Sequence, residues 1–331
     1  MQDPILIVED LKVRFKTKTG AVFAVNGVTF ELHAGEILTI VGESGSGKTV
    51  SMLALLRLID LPGEITGGRV LYAGKDMYQR SPDEMQQVRG SKIALISQDP
   101  DTALNPVLQV GLQVSEALVV HKDMSKREAR EKTIELLTMA GIPEPVRYLE
   151  SYPHQLSGGM RQRVMIAVAL ACQPEILIAD EPTTALDVTV QADIIDLMLR
   201  LQKKFGMSVI WITHDLGVVA RVAQRVLVMY AGMIVEEARV IDLFTSPRHP
   251  YSIGLLNARP RVDGGEDERL YNIPGAPPVM LEEPKGCPFV PRCRFASGRC
   301  RMENPPLIEV ADRHYTACWE HRRFAPEESG N

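Results

Sequence analysis

Glu36-Ile37-Leu38-Thr39-Ile40-Val41-Gly42-Glu43-Ser44-Gly45-Ser46-Gly47-Lys48-Thr49 decides how the rest of the chain is read. An apolar run ends at Gly42, and Gly47, Lys48 and Thr49 complete the phosphate-loop pattern G-x-x-x-x-G-K-[ST]. The run predicts a buried strand. Gly42, Gly45 and Gly47, with Ser44 among them, let backbone N–H groups turn inward around phosphates. Val50 to Leu58 reads as a helix whose N-terminus favours anions. Lys48 is placed to reach the β/γ-phosphates, and the Thr49 hydroxyl to ligate Mg²⁺. A chance glycine-rich turn is the competing explanation, and the strand-to-helix context speaks against it.

Composition fits such a domain. The chain has 331 residues, 45% of them hydrophobic, enough for a large domain plus an extension. The net charge of −5 argues against a general nucleic-acid binder, which carries a basic face. No apolar run approaches the roughly 18 residues of a membrane span. Met1-Gln2-Asp3-Pro4 lacks the basic-then-apolar plan of a signal peptide. A cytosolic setting is therefore expected, where the five cysteines are poor disulfide candidates.

Working outward, Ile5 to Val13 and Phe23 to Leu32 read as strands joined by a turn around Gly20. Phe15 between them is either a loop aromatic packed on a sheet or a stacking platform for adenine. Gly67-Gly68 reads as a turn before a short strand, Arg69 to Tyr72. Ile93 to Ser97 is a strand ending at Gln98, whose amide is either a polar cap or a group for Mg²⁺ or the attacking water. Helical periodicity then appears over Gly111 to His121 and Lys126 to Ala140, with Ser125 as N-cap and Gly141 as stop.

Ser157-Gly158-Gly159 precedes a helical run, Val164 to Ala171, and makes a second anion-binding helix start. Cys172, at its end, reads as a small buried hydrophobe. Ile176 to Ala179 reads as a buried parallel strand, and it leads into two adjacent carboxylates, Asp180 and Glu181. Beside a phosphate loop, Asp180 suits Mg²⁺ held through water, and Glu181 suits polarising a water. Ala185-Leu186-Asp187 is a tight loop, followed by a helix, Gln191 to Phe205. Strand Ser208 to Thr213 ends at His214, where open α/β sheets bind ligands; a structural histidine is the alternative. Strands Arg225 to Tyr230 and Met233 to Glu237 and a helix, Val240 to Phe244, come next. Ser246 to Tyr251 marks a boundary, and proline, glycine and charge rise beyond it, over Arg259 to Gly265 and Pro274 to Pro284.

Together these residues resemble the ATP-binding cassette of ABC transporters over about residues 5 to 255. The resemblance implies an α/β fold: a P-loop NTPase (RecA-like) core, an antiparallel β subdomain and a helical subdomain at about residues 100 to 160. An irregular cysteine-containing extension would occupy 256 to 331. It makes Gln98 the Q-loop, Leu156-Ser157-Gly158-Gly159-Met160 the signature, Glu181 the catalytic glutamate, Asp187 part of the D-loop and His214 the switch histidine. Phe15 aligns with the adenine-stacking aromatic. Met160 departs from the commonest Leu-Ser-Gly-Gly-Gln. The implied mechanism pairs two cassettes head to tail, ATP lying between the P-loop of one and Ser157-Gly158-Gly159 of the other.

Gln98-Asp99-Pro100, Leu104-Asn105-Pro106, Arg248-His249-Pro250-Tyr251 and the C-terminal cysteines look like the ATPase subunits of dipeptide and oligopeptide importers. That implies a second cassette, commonly a paralogue, two transmembrane permease subunits and an extracytoplasmic substrate-binding protein, with this chain peripheral on the cytoplasmic face. Relatives also carry nickel, glutathione or sugars. A soluble ABC ATPase of translation or DNA repair is the runner-up; such proteins commonly have two cassettes or a long coiled-coil insertion, and here each motif occurs once. A P-loop kinase would lack Ser157-Gly158-Gly159.

Cys287, Cys293, Cys300 and Cys318 give C-x5-C-x6-C-x17-C. Spacing alone leaves zinc and an iron–sulfur cluster equally open. The resemblance to peptide-importer ATPases, some of which carry a [4Fe–4S] cluster on such cysteines, favours the cluster, with zinc as the alternative. The tail from Gly286 to Trp319 has few large apolar residues, so a metal centre rather than a core is expected to hold it. Because Lys48, Glu181 and His214 all precede the extension, it is expected to bear on assembly more than on hydrolysis.

Overall fold

The computed structural model describes residues 3–18, 20–184, 186–258 and 273–325. Ala185 and the stretch Arg259 to Gly265 lie outside them. Twelve strands are present among the described residues: β1 (Pro4–Thr17), β2 (Gly20–His33), β3 (Ile37–Val41), β4 (Gly63–Tyr72), β5 (Lys75–Asp76), β6 (Ile93–Ile96), β7 (Ile176–Asp180), β8 (Ser208–Thr213), β9 (Arg225–Tyr230), β10 (Met233–Arg239), β11 (Ile308–Ala311) and β12 (His314–Thr316). The chain forms two units: Met1–Ile5, Leu32–Ile37 and Gln79–Thr213 in the first, and Leu6–Glu31, Leu38–Tyr78 and His214–Asn331 in the second.

In the first unit β6, β7 and β8 run parallel, β7 between the other two. Every residue of β7 and of β8 is buried, as continuous apolar runs demand of parallel strands covered on both faces. Helices Val110–Lys122, Lys126–Met139 and Gly158–Leu170 pack on one another. Their core joins Val114, Leu118, Leu136, Leu137, Leu156 and Val164. Ser125 caps the second helix as the sequence predicts: its hydroxyl accepts from the Glu128 N–H, and Glu128 answers with its carboxylate. Gly141 follows with φ +79°, where an L side chain would be strained. Cys172 is buried, with its sulfur 3.4 Å from the Ala117 carbonyl, in keeping with its reading as a small hydrophobe.

In the second unit β1, β2, β4 and β5 form one sheet in the order β2-β1-β4-β5. Gly67-Gly68 is not a turn before a strand, as the sequence predicts, but lies inside β4. It faces an irregularity of β1 between Glu9 and Val13, and a Cβ on Gly68 would sit 2.5 Å from the Glu9 and Asp10 carbonyls. The glycine admits the bulge rather than reversing the chain.

β3 runs parallel to β9, and β9, β10, β12 and β11 continue antiparallel. The C-terminal tail thus adds two strands to this sheet. Val41, Val226, Val228, Tyr230, Leu243 and Tyr251 form a core that Phe289 of the tail enters. The Phe289 ring centroid lies 5.2 Å from Tyr230 and 5.5 Å from Tyr251, edge-on to both. Hydrophobic packing therefore does hold the tail, against the expectation from its composition. Counting apolar residues within the tail misses a core that the tail shares with preceding strands.

Tyr251, in the stretch expected to mark a boundary, is fully buried at the start of helix Pro250–Asn257. Glu236 on β10 is fully buried and accepts from the Arg248 N–H (2.6 Å) and the His249 N–H (2.9 Å). Its Oε1 also lies 2.7 Å from His314 Nε2 on β12. A buried carboxylate persists only when its oxygens are satisfied, and here the satisfaction ties tail to cassette.

Candidate nucleotide site

The second unit carries the phosphate loop. β3 delivers the chain to Gly42, and helix Lys48–Leu55 leaves it. Gly42 has φ +156°, Gly45 +79° and Gly47 +97°. A Cβ on Gly42 would lie 2.3 Å from the Met229 carbonyl, and one on Gly47 would lie 2.5 Å from the Ala24 carbonyl. Only glycine lets the loop sit that close to its neighbours. Lys48 is buried, and its ammonium donates to the carbonyls of Gly42 (2.8 Å) and Glu43 (3.0 Å), curled back along the loop. Thr49 and Ser44 are exposed beside it. Phe15 is half-buried on β1 opposite Gly63, where its ring lies 2.6 Å from the Cβ position of that glycine. His214 is exposed and precedes the cap, Asp215, of helix Leu216–Val222.

Sequence reading missed two supports of this loop. Tyr251 Oη accepts from the Glu43 N–H at 2.8 Å. Arg292, from the tail, holds the Glu43 carboxylate with both terminal nitrogens, at 2.6 and 3.0 Å. That bond, above all, raises the Arg292 pKa beyond the ordinary arginine value. The only sequence signals were an acidic residue inside a loop suited to anions and an arginine beside a cysteine.

The first unit carries the carboxylates. Asp180 is buried at the end of β7. Glu181 follows with φ +47°, an uncommon backbone for a non-glycine residue and one that clusters at functional sites. The amide of Gln98 donates to Glu181 Oε2 at 3.3 Å, and the Thr184 hydroxyl donates to the same oxygen at 3.0 Å. The structure thus brings the Gln98 amide onto Glu181, a contact the sequence reading did not anticipate. Asp187 is exposed and caps helix Val188–Phe205 by accepting from the Val190 N–H. Ser157 caps helix Gly158–Leu170 and accepts from the Met160 N–H at 3.3 Å. A side chain on Gly158 would meet nothing within 4 Å, so this helix start is open. Met160, the departure from the signature, packs on the helical core, which explains an apolar residue there.

The four tail cysteines meet at one apolar cavity, lined also by Phe289, Phe295 and Pro305. Its volume of about 10 Å³ is room for about one water. Among the described residues, no group of three or more His, Cys, Asp or Glu side chains has closed into a metal cage. Burial pushes the Cys287 thiol up to about 11 and the Cys318 thiol up to about 12, with smaller contributions from the neighbouring cysteines. Backbone hydrogen bonds from Phe289 and Val290 reach Cys287, and others from Phe295 and Glu320 reach Cys293 and Cys318. Four soft donors thus line one cavity, and backbone N–H groups reach three of the four sulfurs.

Residues 25–184 match the ABC transporter family, and residues 235–300 match the oligopeptide/dipeptide transporter C-terminal region. The oligopeptide transport ATP-binding protein OppD of Bacillus subtilis is 50% identical over 98% of this chain and 90% of its own length. The dipeptide transport ATP-binding protein DppD of Escherichia coli is 47% identical, over 95% and 96%. The chain belongs to the ABC transporter ATP-binding proteins. Among solved structures, the cassette MJ0796, in a dimeric post-hydrolysis state bound to ADP and Pi, is 30% identical with a TM-score of 0.64, covering 71% of this chain and 98% of that one. The fold is accordingly the ABC cassette fold of P-loop NTPases, and the cassette is an ATPase. No helix among its described residues is long and apolar enough to cross a membrane.

Proposed function

We propose that the cassette drives import of dipeptides or oligopeptides, working at the cytoplasmic face of the membrane with two permease subunits, a second cassette and an extracytoplasmic binding protein. The observation that carries this reading is the pairing of an ABC cassette with the oligopeptide/dipeptide C-terminal region, residues 235–300, whose first residues lie on β10 and pair with β9. In this reading the loop from Gly42 to Thr49 holds the β- and γ-phosphates of ATP, with Lys48 supplying the positive charge. Thr49, Gln98 and Asp180 are the residues that would hold Mg²⁺, which when bound would supply positive charge against the phosphates. Glu181 polarises the attacking water, and the two donors on its Oε2 orient it for that task. His214 contacts the γ-phosphate, and Phe15 packs on adenine. Ser157-Gly158-Gly159 closes on the nucleotide of the partner cassette, with Asp187 beside that interface. Contacts made only in the closed pair let ATP shift the population toward closure.

The C-terminal cysteines are proposed to hold a [4Fe–4S] cluster, with zinc as the alternative. The convergence of the four thiols and the N–H groups aimed at them support a thiolate-bound centre.

The decisive experiment reconstitutes this chain with its neighbouring permease and cassette in vesicles. ATP-dependent uptake of labelled tripeptide is expected, and Glu181→Gln should abolish uptake while retaining ATP binding. Uptake of nickel or sugar but not peptide would overturn the peptide reading.

A further inference from the structure

We propose that Arg292 is a positioning residue of the nucleotide site: it neutralises and fixes Glu43, so that the C-terminal extension sets the affinity of the phosphate loop for nucleotide. The loop is built to receive polyanions, yet its second residue is a carboxylate. Left alone, that charge opposes phosphate binding at close range. Arg292 answers it with a two-pronged bond, Nη1 to Oε2 at 2.6 Å and Nη2 to Oε1 at 3.0 Å. The Arg292 side chain is only 4% exposed, so water contributes little to balancing the guanidinium, while the Glu43 carboxylate is partly exposed.

The guanidinium is itself fixed. Its Nε donates to the Pro274 carbonyl at 2.8 Å, and Nη2 also reaches the carbonyls of Ile273 and Gly275. Its planar fork is therefore matched on every side, which a lysine ammonium does not reproduce. Arg292 ends the short turn Val290–Arg292, directly after Phe289, which is locked among Tyr230 and Tyr251. Glu43 is in turn a node of the loop. Its N–H is held by Tyr251, and its carbonyl receives Lys48. A shift of Glu43 therefore moves the lysine that meets the phosphates. The coupling does not depend on what the cysteines bind, so it stands or falls separately from the cluster reading.

The test measures dissociation constants of a fluorescent ATP analogue with the full chain, at low and high salt, alongside thermal melts. Arg292→Gln is expected to weaken binding about tenfold at low salt, because the Glu43 charge is exposed to the phosphates. The defect should shrink at high salt as that repulsion is screened. The double variant Arg292→Gln, Glu43→Gln should bind more tightly than Arg292→Gln alone, since no charge is left uncompensated. Loosening of the tail by itself would not be relieved by a change at Glu43. Arg292→Lys, which keeps the charge and disturbs packing least, should lose about threefold and serves if Arg292→Gln does not fold. Binding by the single variants within error of the parent, or a double variant as weak as Arg292→Gln, overturns the proposal.

Discussion

Gly47→Ala separates the two costs that the phosphate loop avoids by using glycine. Gly47 sits at φ +97° immediately before helix Lys48–Leu55. An alanine held in a left-handed conformation costs roughly 1–2 kcal/mol. Its Cβ would also lie 2.5 Å from the Ala24 carbonyl and 3.2 Å from Gly232 Cα. Both are backbone atoms, so no flexible side chain can swing away, and the loop or its neighbours must move. Such overpacking adds roughly 1–3 kcal/mol. Gly45→Ala is the internal control: φ is +79°, but nothing lies within 4 Å of the added carbon. It should carry only the conformational cost. The two variants are thus expected to differ by roughly 1–3 kcal/mol, or about 5- to 150-fold in an equilibrium constant. Urea unfolding of the full chain and nucleotide titration read the difference as lost stability or, where the loop moves instead, as lost affinity. Equal losses for Gly45→Ala and Gly47→Ala would refute the reasoning, because the close approach of Ala24 and Gly232 would then cost nothing.

Three further outcomes are expected. His249 is buried, which holds its pKa down at about 3 against an ordinary 6.5. The folded state therefore stays unprotonated where the unfolded chain takes a proton. Stability present above pH 6.5 should be lost as pH falls toward 3, by roughly 2 kcal/mol at pH 5, and urea melts of His249→Gln should show a flatter profile over that range. Replacing any one of Cys287, Cys293, Cys300 or Cys318 by Ser should abolish bound iron and acid-labile sulfide in anaerobically purified protein, whereas Cys172→Ser should not; stoichiometric zinc without sulfide would end the cluster reading. Ser157→Arg should leave nucleotide binding to the isolated subunit within about twofold yet block ATP-driven dimerisation in size-exclusion runs, and loss of binding in the monomer would contradict the shared-site arrangement.

The sequence by itself determined the parts whose physics is local. The apolar runs at β3, β7 and β8 needed no partner information to read as buried strands. The spacing of Gly42, Gly47, Lys48 and Thr49 fixes the phosphate loop because backbone reversal and lysine reach are short-range properties. Ser125, Ser157 and Asp187 cap helices within three residues of themselves. Gln98 and Glu181 were legible as strand-end residues, although only the structure put the amide 3.3 Å from the carboxylate. What tertiary structure alone decided lies at long sequence separation. The tail looked too poor in apolar residues to pack, yet Phe289 enters a core built by Tyr230 and Tyr251. The cassette motifs precede the extension, yet Arg292 reaches back 249 residues to Glu43. An ion pair of that span leaves no periodicity to read. Its two ends look like an ordinary acidic loop residue and an ordinary surface arginine until the fold buries the guanidinium against the carboxylate.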